Sequence, residues 1–283
     1  MRIVSTIAEA RGAVRALRTN GRSIGLVPTM GALHAGHVSL VRAAREQCDA
    51  VVVSIFVNPT QFGPNEDFAK YPRTWDADCA LLESEGVDLI LAPIATEMYP
   101  AGASTFVEVE GVSDRLDGAS RPGHFHGVST VVAKLFHIVS PDKAFFGQKD
   151  AAQVAVLRKM VRDLNFDLEL VVCPTVREAD GLALSSRNRY LSAEERGQAL
   201  VLSRALQRVE ERIAQGVLES AALIREAQEM LAAETGVRVD YLRIVDPSSL
   251  EDVAAVCGGA LVAVAAVVGT TRLIDNVVIE PRK

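Results

Sequence analysis

Two histidines three residues apart, His34 and His37, follow a short apolar segment and a glycine-containing loop. Residues 24–40 read IGLVPTMGALHAGHVSL, which predicts a strand, a loop and then a helix. Imidazole donates hydrogen bonds to phosphate oxygens, and residues three apart on a helix can face one bound group. Gly31 and Gly36 allow the backbone to approach a ligand closely, and a helix N-terminus offers free N–H groups to an anion. The segment predicts a phosphate-binding loop, and surface or helix-capping histidines are the alternative.

The same segment differs from other ligand-binding patterns. No Gly-Lys-Ser/Thr follows it, as in a Walker A loop, and its glycine spacing is not GxGxxG. Metal ligation by His34 and His37 is disfavoured, because no third ligand lies at a motif spacing from them.

Two neutral amides, Asn58 and Gln61, follow the apolar run Val51–Val57. Such a run predicts a strand that is covered on both faces, and the carboxyl ends of strands are where open α/β sheets bind ligands. Amides at that edge can bind hydroxyl groups and a carboxylate without adding a charge. An ordinary Asn-Pro turn is the alternative.

Two cationic clusters lie further along the chain. Lys149 follows Gly147 at the predicted start of a helix, with Asp150 beside it. The ammonium could stabilise charge on an α-phosphate, and the carboxylate could accept hydrogen bonds from ribose hydroxyls. Residues 185–187, Ser-Ser-Arg, supply two hydroxyls and a planar cation that suit a polyphosphate. A solvated Lys-Asp pair and a polar interdomain loop are the respective alternatives.

Strand-like and helix-like segments alternate from residue 1 to about residue 175, which predicts an α/β fold with a parallel sheet wrapped on both faces. The predicted strands are Ile24–Val27, Val51–Val57, Val87–Leu91, Thr105–Val109, Ala144–Phe146 and Leu168–Cys173. The predicted helices are Ile7–Thr19, His37–Cys48, Trp75–Ser84, Val128–Val139 and Ala151–Asn165.

The pattern changes after Arg189. Ser192 is a predicted N-cap of a long helix, and a second helix is predicted from Glu219 to Glu234. Three predicted strands follow, with a hairpin turn at residues 269–272: Val237–Val245, Ala260–Val268 and Leu273–Ile279. We therefore predict a first domain over residues 1–175 and a smaller α+β domain over residues 176–283, joined by a short hinge within Pro174–Arg189.

Composition narrows the class of protein. The 283 residues are 49% hydrophobic, and 30 basic and 36 acidic residues give a formal charge of −6. An acidic chain argues against nucleic acid and anionic membranes as partners. The longest apolar run, Ala260–Val268, is too short to span a bilayer. The four cysteines form no CxxC pair, so we expect reduced, mostly buried thiols in a cytoplasmic protein.

The segment His34-Ala35-Gly36-His37 resembles the HxGH signature of the nucleotidyltransferase superfamily that includes class I aminoacyl-tRNA synthetases. Five blocks in chain order resemble the pantothenate synthetase family, and together they extend the resemblance over nearly the whole chain. The blocks are residues 28–37 (PTMGALHAGH), 56–62 (FVNPTQF), 121–125 (RPGHF), 145–150 (FFGQKD) and 177–188 (READGLALSSRN).

The resemblance implies a Rossmann-like parallel sheet in the N-terminal domain and a C-terminal domain that closes over a nucleotide. It implies that Gln61, Gln153 and Asn58 bind pantoate, and that Gln61 also contacts β-alanine. As catalytic residues we expect His37, His34, Lys149 and Arg187. The implied ATP-binding residues are Met30, Gly31, Ala32, Leu33, His34, Ala35, Gly36, His37, Gly147, Gln148, Lys149, Asp150, Val176, Leu184, Ser185, Ser186 and Arg187.

The implied reaction is the ATP-dependent condensation of (R)-pantoate with β-alanine. It passes through pantoyl adenylate and releases pyrophosphate and then AMP. The resemblance also implies Mg²⁺ bound with ATP, for which we assign no protein ligand, and a homodimer. A nucleotidylyltransferase that releases pyrophosphate without amine ligation is the alternative, and a non-enzymatic nucleotide-binding module is a further one.

Four positions depart from the usual family pattern. Ala35 replaces an acidic residue, Ala151 and Ala152 replace an aromatic residue and Gln, and Leu184 replaces Met. These changes bear on packing beneath the ATP loop and on substrate affinity rather than on the reaction type. We assign no catalytic role to His124.

Overall fold

A six-stranded parallel sheet forms the larger unit of the computed structural model, which describes residues 1–64 and 66–281. Its strands are β1 (Arg2–Val4), β2 (Ile24–Thr29), β3 (Ala50–Ile55), β4 (Leu89–Leu91), β5 (Lys143–Gly147) and β6 (Glu169–Cys173). They pair in the order β1-β4-β3-β2-β5-β6, and each pairing is parallel. From β2, the next strands in the chain, β3 and β4, are added toward one edge of the sheet, whereas β5 and β6 are added toward the opposite edge. The topological switch point therefore lies between β2 and β5.

Helices cover both faces of this sheet. They are α1 (Ile7–Leu17), α2 (Ala35–Gln47), α3 (Trp75–Ser84), α4 (Ala95–Met98), α5 (Asp117–Ser120), α6 (His124–Val139) and α7 (Ala151–Asp163). Apolar residues of α1, α6 and α7 form one core and those of α2 and α3 form another. In β3, Val52 faces the first core while Val51 and Val53 face the second. Burial on both faces explains the continuous apolar run of this strand.

A smaller antiparallel sheet follows in the described C-terminal part of the chain. It consists of β7 (Val237–Val245), β8 (Ala260–Val268) and β9 (Thr271–Ile279) in that order. Two helices, α8 (Ala193–Ala214) and α9 (Ser220–Ala232), pack against it around a separate apolar core. Ser192 caps α8 as predicted, since its side chain accepts a hydrogen bond from Glu195 N–H at 3.2 Å.

The predicted fold class is confirmed, and most predicted elements agree with the structure within a few residues. The strand predicted at Thr105–Val109 is wrong. That segment has no regular secondary structure and joins no described strand, and the N–H of Val107 donates instead to Thr130 Oγ1 on α6 at 3.0 Å. The short edge strand β1 was not predicted. The domain boundary at residues 175 and 176 stays a prediction; it falls between the end of β6 and the start of α8.

Two expectations from composition can be compared with the structure. Within the described residues, no helix is both long and apolar enough to cross a bilayer. The four cysteines, all of them described, are free thiols; Cys48 and Cys173 are buried and Cys257 is exposed.

Candidate active site

The loops that follow β2 and β5 face each other at the switch point of the large sheet. The loop after β2 carries His34 and His37 into α2, and the turn after β5 carries Lys149 and Asp150 into α7. Because β2 and β5 are neighbouring parallel strands, their carboxyl ends bring these four side chains to one edge of the sheet.

A buried carboxylate, Asp78 of α3, holds the loop between β2 and α2. Asp78 is 3% exposed, and its two oxygens accept from the N–H groups of Ala32 and Leu33, both at 2.9 Å. Gly31 and Ala32 have φ angles of 81° and 51°, a left-handed conformation that costs free energy for a residue with a Cβ. The paired hydrogen bonds compensate for this cost and fix where the loop delivers His34.

The two histidines cap the helix that they begin. His34 Nδ1 accepts from Gly36 N–H at 3.2 Å, and His37 Nδ1 accepts from His34 N–H at 3.3 Å. Each ring is therefore unprotonated at Nδ1, which leaves an Nε2–H donor on both. The ring centroids are 4.1 Å apart.

Both rings are neutral near pH 7. Desolvation, followed by the positive charge of Lys149, lowers the pKa of His34 to about 4. Desolvation and the neighbouring His34 lower the pKa of His37 to about 3. With Nδ1 of each ring occupied as an acceptor, the Nε2–H of each neutral ring is the group that can donate a hydrogen bond to an anion.

The two amides predicted at the end of β3, Asn58 and Gln61, differ in their hydrogen bonds. Asn58 is 1% exposed; its amide N–H groups donate to Gln61 Oε1 and Gly127 O at 3.1 Å, and its oxygen accepts from Tyr99 O–H at 2.9 Å. Gln61 lies in front of it, and its Nε2 contacts Met30 Sδ at 3.2 Å. In this conformation both N–H groups of Asn58 are occupied, and one of them holds the side chain of Gln61.

Arg121 and His124 also line the cleft, although we assigned His124 no catalytic role. Arg121 makes a bidentate ion pair with Glu66, at 2.6 and 2.7 Å, and donates to His124 Nε2 at 3.0 Å. His124 Nδ1 donates to the carbonyl oxygen of Gln61 at 2.8 Å. Desolvation and then the charge of Arg121 lower the pKa of His124 to about 4. The contacts with Glu66 and Gln61 join residues 55 or more positions apart, so the RPGHF block by itself does not reveal them.

The loop from the chain's second half approaches the cleft from the opposite side. Ser185 Oγ accepts from the N–H of Arg187 at 3.3 Å, and Leu184 N–H donates to Val176 O at 2.9 Å. The guanidinium of Arg187 donates to both oxygens of Asp67, at 3.0 and 3.2 Å. Its positive charge is thus already paired across the cleft.

Three adjoining cavities of about 110, 110 and 170 Å³ share Lys149, Asp150 and Gln153 in their walls. The predicted site residues that line them are Met30, His34, Gly36, His37, Gln61, Gly147, Lys149, Asp150, Gln153, Val176, Leu184, Ser185, Ser186 and Arg187. The six other predicted residues are described and lie outside these walls: Gly31, Ala32, Leu33, Ala35, Asn58 and Gln148.

Of the departures from the family pattern, those at residues 151 and 152 lie in a packed region and that at residue 35 lies at the surface. Ala151 and Ala152 are 7% and 2% exposed, within the apolar core beneath the Lys149 turn. Ala35 is exposed at the start of α2, where an acidic side chain would face solvent rather than the core.

No protein cage for a metal is present among residues 1–64 and 66–281, because no three His, Cys, Asp or Glu side chains there come close enough to hold an ion. Asp150 is nevertheless half-exposed beside Lys149 in the cleft. Mg²⁺ keeps several waters and often binds through one carboxylate and the phosphates of a substrate. The donor set fits an ion that arrives with a nucleotide.

A parallel α/β sheet whose switch point gathers two helix-capping histidines and a lysine, with an arginine facing them across the cleft, is typical of a nucleotide-using enzyme. The family model for pantoate-beta-alanine ligase matches residues 2–278, and the chain belongs to this family. It is 68% identical over 290 residues to pantothenate synthetase of Acidobacterium capsulatum, an alignment that covers 99% of this chain and 97% of the relative. The corresponding enzyme of Koribacter versatilis is 62% identical, with 99% and 96% covered.

Solved structures agree with this assignment. Pantothenate synthetase from Thermus thermophilus superposes with a TM-score of 0.94 at 51% identity, covering 99% of this chain and all of that one. Pantoate-beta-alanine ligase from Francisella tularensis, complexed with beta-gamma ATP and beta-alanine, superposes with a TM-score of 0.81 at 33% identity, covering 98% and 97%.

Proposed function

We propose that this ligase joins (R)-pantoate to β-alanine through a pantoyl adenylate. The observation that carries the proposal is the meeting of the two Nε2–H donors of His34 and His37 with the ammonium of Lys149 at one cleft. The Francisella relative, which was solved with beta-gamma ATP and beta-alanine, supports ATP and β-alanine as two of the three substrates. Pantoate as the third follows from the family.

The chemistry explains the types of side chain in the cleft. A pantoate carboxylate oxygen attacks the α-phosphorus of ATP, the bond to the β-phosphate oxygen breaks, and pyrophosphate leaves. The β-alanine ammonium loses one proton to solvent, its amine nitrogen attacks the carbonyl carbon, and the bond to the AMP oxygen breaks. A second proton then leaves the nitrogen to give the neutral amide. The first step brings anions together, so it needs positioning and charge compensation rather than a protein nucleophile.

Each cationic or donor group has a proposed place in that step. His34 and His37 donate Nε2–H to phosphate oxygens as neutral rings, and Lys149 stabilises the charge that grows on the α-phosphate. Ser185, Ser186 and Arg187 hold the departing pyrophosphate. A pKa of about 3 makes His37 a poor proton donor or acceptor near pH 7, so its proposed role is hydrogen bonding rather than proton transfer.

We place pantoate, the acyl substrate, on the side of the cleft that carries Gln61 and Gln153. Gln61 and Gln153 offer amides to the hydroxyls and carboxylate of pantoate, with Asn58 holding Gln61 in place. Mg²⁺, when bound with ATP, would neutralise phosphate charge, and Asp150 is the nearby carboxylate that could hold it. Homodimer formation remains a prediction from the resemblance, and a cytoplasmic location remains a prediction from the cysteine pattern.

Product analysis tests the proposal. The protein is incubated with ATP, Mg²⁺ and (R)-pantoate, with and without β-alanine, and AMP, pyrophosphate and pantothenate are quantified. Steady AMP release that requires β-alanine and matches pantothenate one to one supports the ligase. Pyrophosphate without AMP in the presence of β-alanine would indicate a nucleotidylyltransferase, and ATP binding without any product would indicate a binding module; either would contradict the proposal.

A further inference from the structure

The side-chain amide of Asn276, on β9 of the small sheet, is fully occupied by the turn that carries Lys149. Its Nδ2 donates to the carbonyl oxygens of Gln148 and Lys149, at 3.0 and 2.9 Å. Its Oδ1 accepts from Gln148 Nε2 at 3.0 Å. Asn276 is 4% exposed, so these bonds form away from bulk water, where losing a partner is costly.

Residues Gln148–Asp150 form a single 3-10 turn before α7, and its own side chains add little support. The N-cap of α7, Asp150, makes no side-chain capping hydrogen bond. The contact between Lys149 Nζ and Asp150 Oδ1 is long, at 3.5 Å. The hydrogen bonds from Asn276 are therefore a main constraint on the direction in which the backbone leaves β5 and presents Lys149 to the cleft.

The neighbouring residue on β9 ties the same strand to the loop across the cleft. Asp275 is 3% exposed, and its two oxygens accept hydrogen bonds from Nη1 and Nη2 of Arg177 at 2.6 and 2.9 Å. Arg177 in turn donates to the carbonyl oxygen of Gly181 at 3.1 Å. Asp275 also accepts the N–H of Asn276 at 2.7 Å. One strand thus contacts both the Lys149 turn and the segment that leads into residues 185–187.

We propose that Asn276 is a positioning residue that sets the place of Lys149 relative to the pyrophosphate-binding loop. The small sheet then serves as a support for two segments that are proposed to bind anions. This inference rests on the proposed role of Lys149 in adenylate formation. It predicts that the effect of Asn276 on the reaction passes through Lys149.

A double-mutant cycle tests this dependence. Pantoate-dependent pyrophosphate release is measured in wild type, Asn276→Ala, Lys149→Ala and the double variant. Displacement of a reacting group by about 1 Å costs on the order of 10²-fold in rate, so we expect Asn276→Ala to lower kcat by ~10- to 100-fold. In the Lys149→Ala background the same change should lower kcat less than twofold. If Asn276→Ala acted only by destabilising the protein, it would lower kcat by the same factor in the wild-type and Lys149→Ala backgrounds.

Two further variants make the test robust. Asn276→Leu keeps about the size of the side chain and removes its donors and acceptor without adding a buried charge, so it replaces Asn276→Ala if that variant does not fold. Val278→Ala changes an exposed side chain on the same strand and should keep the wild-type kcat.

Each outcome bears on the inference separately from the proposed function. Loss of kcat that disappears in the Lys149→Ala background supports it. Wild-type kcat in the folded Asn276 variants, or equal losses in both backgrounds, overturns it while leaving the ligase intact. If Lys149→Ala has wild-type kcat, the inference falls together with the role of Lys149, although product analysis of the wild type could still show a ligase.

Discussion

The guanidinium of Arg187 and the carboxylate of Asp67 form a bidentate ion pair that links the second half of the chain to the first across the cleft. Both side chains are partly buried. An ATP polyphosphate that binds Arg187 must compete with Asp67 for the same fork of donors. Asp67 therefore competes with the pyrophosphate part of ATP for the guanidinium of Arg187.

Removing the charge of Asp67 should strengthen ATP binding. We expect Asp67→Asn to lower the KM for ATP by ~3- to 10-fold. The hydrogen bonds that Arg187 must break to bind phosphate are weaker with a neutral amide than with a carboxylate. Steady-state kinetics at saturating pantoate and β-alanine measure this change. Asp163→Asn removes a carboxylate from an exposed pair on α7 and should not alter KM. A higher KM in Asp67→Asn would show that Asp67 orients Arg187 instead of competing for it.

Lys149 should matter most in the first half-reaction. We expect Lys149→Ala to slow adenylate formation by at least ~10²-fold, the scale of one lost group that stabilises a transition-state charge. Rapid-quench measurement of pyrophosphate release gives the rate directly. Lys159→Ala, which removes an exposed lysine further along the same helix region, is the matched control. An adenylation rate within twofold of wild type would rule out the proposed role.

Asp78 should act through the loop that it holds. Asp78→Asn replaces one of two acceptor oxygens by a donor that faces a backbone N–H, which leaves a buried group unpaired. We expect kcat for pyrophosphate release to fall ~10-fold at a temperature where the variant is fully folded, with a lower Tm. Asp76→Asn makes the same change at an exposed position in the first turn of α3 and should behave as wild type. Equal kcat in both variants would leave Asp78 with a role in stability alone.

The neutral histidines predict a pH dependence of stability. The pKa values of His34, His37 and His124 are lowered to about 4, 3 and 4, whereas an unfolded histidine titrates near 6.5. Between pH 6.5 and about 4 the unfolded chain therefore binds more protons than the folded one, and stability falls as pH falls. Each histidine contributes on the order of 1 kcal/mol per pH unit. Urea unfolding at pH 7, 6 and 5 measures the slope.

A substitution isolates one of these contributions. His124→Gln removes one titrating ring, so its loss of stability between pH 6.5 and 5 should be about a third smaller than that of the wild type. An unchanged slope would mean that His124 is not held neutral in the folded protein.

Local patterns were enough to predict much of the fold. The apolar runs of β3, β7 and β8 and the capping residue Ser192 each have a signal within a few neighbouring residues, and the structure agrees with all of them. The strand expected at Thr105–Val109 failed because its β-branched composition says nothing about whether a partner strand is near. The three-residue β1 is too short to show any period.

The candidate site likewise contains residues that the sequence predicted and residues that only the structure revealed. His34, His37 and Lys149 were found because they stand next to glycines at strand ends. Asp78 and Asn276 were missed, since an acidic residue in the first turn of a helix and an asparagine within a strand have ordinary explanations. Their partners lie 45 or more positions away, and only the folded chain brings them together.

The proposed adenylation is tested most directly by following the carboxylate oxygens of pantoate. (R)-Pantoate labelled with ¹⁸O in both carboxylate oxygens is turned over with ATP, Mg²⁺ and β-alanine, and the products are analysed by mass spectrometry. If the carboxylate attacks the α-phosphorus, each AMP carries one labelled oxygen and each pantothenate keeps the other in its new amide carbonyl. AMP without label, with ¹⁸O in phosphate or pyrophosphate instead, would contradict a pantoyl adenylate.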